Sequence, residues 1–101
     1  MGAGLWAVVG DPNTDSGGDL TLSGDSKTGT VYINNIQVIV GQTDANADSL
    51  CPVDPTHCDP YSTEYSKSVF AYGIGAHRDT DSRVCGATTT VSGQSNVFVE
   101  V

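Results

Sequence analysis

The sequence predicts an all-β domain: three pseudo-symmetric β lobes with long loops and little or no helix. Three observations predict it. No stretch sustains a 3.6-residue apolar period, and short β-branched and aromatic runs alternate with Gly, Asp and Ser clusters. One motif also recurs, as Thr30-Val31-Tyr32-Ile33-Asn34-Asn35, Ser68-Val69-Phe70-Ala71-Tyr72-Gly73 and Asn96-Val97-Phe98-Val99-Glu100-Val101, each a polar residue followed by Val, an aromatic and an apolar residue.

Taken in order, residues 5–9 read as a first strand that ends in the polar turn Gly10-Asp11-Pro12-Asn13-Thr14. Residues 30–33 pair with 36–39 as a hairpin, because Asn34 and Asn35 tolerate the positive φ that a two-residue turn needs. Gly41-Gln42-Thr43-Asp44 is the second polar turn. Residues 42–65 are polar, carry Pro52, Pro55 and Pro60, and read as a loop long enough to need a function or a clamp. Residues 69–72 form the next strand, Arg78-Asp79-Thr80-Asp81-Ser82 the third turn, and residues 97–101 the last strand. Trp6, in the first strand, reads as core or base packing rather than a partner anchor.

A strand-turn-strand element cannot bury its apolar face alone but can do so against its siblings. Val31 to Val69 is 38 residues and Val69 to Val97 is 28, so the copies form a closed three-lobed body rather than a regular solenoid.

With 101 residues, 12 of them Gly and 38% hydrophobic, the chain makes one domain, 1–101, with a thin core that needs help from something besides burial. A net charge of −8 disfavours nucleic acid and anionic bilayers as partners. The start of the chain carries no basic signal region, and no apolar run approaches the ~18 residues of a membrane helix, so synthesis in the cytoplasm is expected.

Cys51, Cys58 and Cys85 are odd in number and two lie near the only histidines, His57 and His77, which favours thiolate ligation of a metal over a disulfide framework. Asp15-Ser16-Gly17-Gly18 is similar to a protease nucleophile segment, but both His follow Ser16 and the chain is too short for such a domain. Asp11, Asn13 and Asp15 alternate as in a calcium loop, yet Ser16 and Leu22 stand where Gly and Glu are required.

The three units resemble the PAAR repeat: a Gly-Asp turn, a Cys or His, then a Gly-Ser lead-in to Val, aromatic and apolar residues. Residues 81–99, from Asp81 through Cys85 and Gly93 to Val97-Phe98-Val99, carry the match most fully, and Cys51-Pro52-Val53-Asp54-Pro55-Thr56-His57 and Ala76-His77-Arg78 are similar to further family segments. The resemblance implies a conical fold, with a flat base on the trimeric spike of a phage tail or type VI secretion system and a metal site near the point. It implies a structural tip and not an enzyme, carried on a phage baseplate or secreted at a type VI spike, with transient contact to the target envelope; from the chain's 101 residues no further effector domain is expected. A small metal-binding cell-surface recognition module is the alternative. The ligand set expected from the resemblance is Cys51, His57, His77 and Cys85, with Cys58 or Asp15 as substitutes. Two thiolates and two imidazoles suit a closed tetrahedral Zn²⁺ site, iron being the other candidate.

Overall fold

A computed structural model describes residues 4–14, 18–21 and 31–99; Asp15 and the ends of the first and third motif copies (residues 30, 100 and 101) lie outside them. The chain is all-β, its strands short and joined by turns and loops, with one 3₁₀ turn among the described residues, at Pro55–His57. Three two-residue antiparallel hairpins carry the motif copies. β2 (Tyr32–Ile33) pairs with β3 (Ile36–Gln37), β4 (Phe70–Ala71) with β5 (Ile74–Gly75), and β6 (Phe98–Val99) with β1 (Gly4–Leu5). The third pair, which has no connecting turn and stands where a hairpin stands in the other two lobes, therefore joins the two ends of the described chain.

The predicted turn at Asn34 and Asn35 is present, with φ of 52° and 67°, and Tyr72 and Gly73 take the same places in the next lobe at 51° and 80°. The segments expected as long strands continue beyond the hairpins as single bridges, because each crosses between lobes rather than lying in one sheet. Three residues follow each hairpin, 6–8, 38–40 and 76–78, and they bridge cyclically: Val8 to Val38, Val40 to Ala76, and Arg78 to Trp6. The central residues close a ring of backbone hydrogen bonds. Ala7 N–H donates to the His77 carbonyl (2.9 Å), His77 N–H to Ile39 (3.1 Å), and Ile39 N–H to Ala7 (2.8 Å).

Each lobe then turns through a residue with positive φ: Gly10 at 98°, Gln42 at 66° and Thr80 at 69°. In two lobes an Asp holds that turn, the Asp11 carboxylate accepting from Val8 N–H (2.8 Å) and the Asp81 carboxylate from Arg78 N–H (2.9 Å). The Asp44 expected in the second lobe is not its counterpart; Thr43 occupies that place. There the Ser62 hydroxyl does the work, accepting from Thr43 N–H and donating to the Val40 carbonyl, both at 2.9 Å.

A second ring follows, again cyclic, with bridges Asn13 to Thr89, Ala45 to Leu20, and Arg83 to Ser62. The core is split between the rings and hairpins: Ala7, Leu20, Ile39 and Ala45 form one apolar cluster, and Val8, Ile33 and Val38 another. Trp6 packs against the latter and donates its indole N–H to the Ile39 carbonyl at 2.8 Å, so it serves the core. No described helix is long and apolar enough to cross a membrane.

Candidate metal centre

The long loop has a covalent clamp. Cys51 and Cys58 form a disulfide, with Cα atoms 4.9 Å apart, which corrects the expectation that thiolate ligation would replace disulfide formation. The reason is local: the segment folds back on itself, with Asp48 N–H donating to the His57 carbonyl (2.9 Å) and Cys51 N–H to the Asp48 carbonyl (3.1 Å), which brings the two sulfurs together. Asp54 caps the 3₁₀ turn that carries His57, accepting from Thr56 N–H at 3.1 Å and Thr56 Oγ1 at 2.8 Å. Those hydrogen bonds, the side-chain one first, hold the Asp54 carboxyl below its usual range.

This fold-back buries His57 against Asp48, with Nδ1 2.5 Å from the Asp48 carboxylate. Asp48 is further fixed by Leu50 N–H (2.9 Å) and by the Asn13 side-chain amide of the second ring (3.3 Å). Cys85, half-buried and two residues beyond Arg83 of the same ring, completes a group of three donors that all lie within 4.8 Å of one another.

The structure thus brings His57 and Cys85 together but not Cys51 or His77. The Cys51 sulfur is bonded to that of Cys58, which removes both as thiolates. His77 belongs to the first ring, where its side chain is fully buried and both nitrogens are engaged. Its Nδ1 lies 2.6 Å from the Glu64 carbonyl, which can only accept, so the proton is on Nδ1. Nε2 then accepts from the Thr89 hydroxyl (2.7 Å), whose oxygen accepts from Arg83 Nε (2.8 Å). Burial first, then the Arg83 and Arg78 charges, lower the His77 pKa to about 4.

Asp48 takes a place in the group that reading the sequence missed. It is one of four Asp between residues 44 and 59, and no spacing distinguishes it; only the disulfide-closed fold-back sets it against His57.

A carboxylate, an imidazole and a thiol are all ligand types for a divalent transition metal. The hydrogen-bonded separation of 2.5 Å between His57 and Asp48 is shorter than two ligands keep on one tetrahedral ion, about 3.3 Å for bonds near 2.0 Å. A metal held through both of these atoms would have to displace the shared proton and spread the pair. Behind the group, the Arg83 guanidinium is buried and donates to the carbonyls of Gly18 and Asp11 as well as to Thr89. Desolvation lowers its pKa to about 10, opposed by the Cys85 sulfur and by Asp19, Asp11 and Asp48, so it stays charged at neutral pH.

No protein-family model matches this chain, and a comparison with curated proteins gives no match.

Proposed function

We propose that this chain is a structural tip protein that caps the trimeric central spike of a contractile injection machine and assists piercing of the target envelope, without catalysing a reaction. A phage baseplate is the favoured setting and a type VI secretion spike the alternative.

The observation that supports this reading is the placement of three exposed aromatic side chains. Tyr32, Phe70 and Phe98 occupy the same position on the three hairpins and are 54%, 55% and 60% exposed. Large apolar groups left in water at three equivalent points fit a partner that offers three equivalent surfaces. One copy on the three-fold end of a trimer satisfies all of them at once. In each lobe the order is hairpin, first ring, turn, second ring, so the aromatics and the metal group stand at opposite ends of that succession. On this reading Asp48, His57 and Cys85 supply three of the four donors of a zinc, or iron, site that stiffens this end of the body.

The test is light scattering of the chain mixed with the purified trimeric spike protein of its own genome. One chain per trimer is expected, with Tyr32→Ser/Phe70→Ser/Phe98→Ser folded and its melting temperature within a few degrees of wild type but unable to bind. Retained binding by that variant, or three chains per trimer, would overturn the reading.

A further inference from the structure

We infer that the Cys51–Cys58 disulfide is the positioning element of the metal centre, fixing Asp48 and His57 against each other so that the cross-link sets metal affinity. The inference rests on the metal reading of Asp48, His57 and Cys85.

Asp48 and His57 lie nine residues apart on one loop. The disulfide joins the third residue after Asp48 to the residue directly after His57. The segment between has little burial to hold it: Leu50 is 43% and Val53 91% exposed, and residues 52–56 are all exposed. What remains is a handful of backbone bonds at the surface, such as Asp54 N–H to the Leu50 carbonyl (2.9 Å) and His57 N–H to the Asp54 carbonyl (3.0 Å). Surface hydrogen bonds of this kind open readily, whereas a covalent link does not.

The third donor is held separately. Cys85 follows the second-ring residue Arg83, and its neighbours are tied down by Val84 N–H to the Tyr61 carbonyl (3.0 Å) and Arg83 N–H to the Ala87 carbonyl (2.8 Å). Loss of the cross-link therefore loosens His57 against Asp48, which keeps its hydrogen bonds to Asn13 and Leu50, while Cys85 and the rings stay in place. Cys51 and Cys58 act on the metal through Asp48 and His57 and not as ligands.

The test compares oxidised wild type with Cys51→Ser/Cys58→Ser by zinc competition against a chromophoric chelator, with cobalt substitution reporting the Cys85 thiolate through its charge-transfer band. Removing a positioning partner costs metal affinity on the order of 10- to 100-fold, and that loss is expected while the near-UV circular dichroism of the metal-free protein is retained. A second variant keeps the disulfide but inserts two Gly after Val53; its zinc affinity stays within about threefold of wild type if the cross-link is what positions the donors. Undiminished affinity in the serine variant, or an equal loss in the insertion variant, overturns the inference. Absence of zinc binding by wild type, or binding that survives His57→Ala, overturns the metal reading beneath it.

Discussion

His77 shows how one side chain couples the rings to pH. Its Nδ1–H donates to the Glu64 carbonyl, its Nε2 accepts from Thr89, and Arg83 backs Thr89 from the other side, an arrangement that with burial favours the neutral imidazole. The groups facing it are Arg83, Arg78 and Glu64, with an Asp81 carboxylate oxygen 4.0 Å from Nδ1. The folded pKa of about 4 lies below the ordinary 6.5. Between those values the unfolded chain takes up a proton that the folded chain refuses. This contribution to stability is therefore complete above pH 6.5, falls as pH drops toward 4, and amounts to about 3 kcal/mol. Urea unfolding with chelator present, from pH 7.5 to 4, is expected to show this slope in wild type and to lose it in His77→Gln; equal slopes would place the pH dependence elsewhere. The chemistry that makes His77 a good ligand on paper is the chemistry that fills this network. Neither the network nor the Asp48 pairing was legible in the sequence: the first joins residues that only the ring closure brings together, and the second depends on the disulfide-closed fold-back of one loop.

At the scale of elements, the motif copies were legible because their pattern is local. Val31, Val69 and Val97 all accept a backbone hydrogen bond at the same place, from Val38 (3.2 Å), Ala76 (2.8 Å) and Trp6 (3.0 Å). β5 was not legible: Ile74–Gly75 is too short and carries a glycine, which lowers strand propensity. The reason for that glycine lies in packing. A Cβ at Gly75 would sit 1.9 Å from the Ser66 carbonyl oxygen and 2.7 Å from the Tyr65 ring, and one at Gly41 would strike the same ring at 2.0 Å. Gly41 and Gly75 are themselves joined, Gly41 N–H to the Gly75 carbonyl at 3.0 Å, and together they seat Tyr65 at the end of the long loop. The two sites differ in what must move. At Gly41 only a side chain obstructs, and Tyr65 is 36% exposed and can swing outward. At Gly75 the obstacle is also backbone. Gly75→Ala is expected to destabilise by about 3 kcal/mol and Gly41→Ala by about 1 kcal/mol in denaturant unfolding. The reverse order would mean that Tyr65, and not the strand crossing at Ser66, is the rigid part.

The whole molecule is a closed succession of three lobes, and its closure has a consequence for chain order. Val9, Gly41 and Asp79 each donate to the neighbouring lobe, at the Gln37, Gly75 and Leu5 carbonyls (3.0, 3.0 and 2.8 Å), so every lobe holds the next and the last holds the first. In two lobes the hairpin turn is the pair Asn34 and Asn35, or Tyr72 and Gly73. In the remaining lobe Val99 pairs with Gly4, and these occupy the places that Ile33 and Ile36 hold in the second lobe. Where the covalent chain begins is therefore arbitrary to the rings. A permuted chain that joins Val99 to Gly4 through Asn-Gly, which suits a two-residue turn, and opens between Asn34 and Asn35 keeps every ring hydrogen bond. Its melting temperature is expected within about 5 °C of the parent, since an exposed turn tolerates cleavage. Opening instead between Ile39 and Val40, inside the first ring, is expected to abolish cooperative unfolding, because that cut severs the chain between the hydrogen-bonded Ile39 and the bridging Val40. Thermal denaturation of the two permutants discriminates: equal stability would mean that the hairpins, and not the rings, hold the three lobes together.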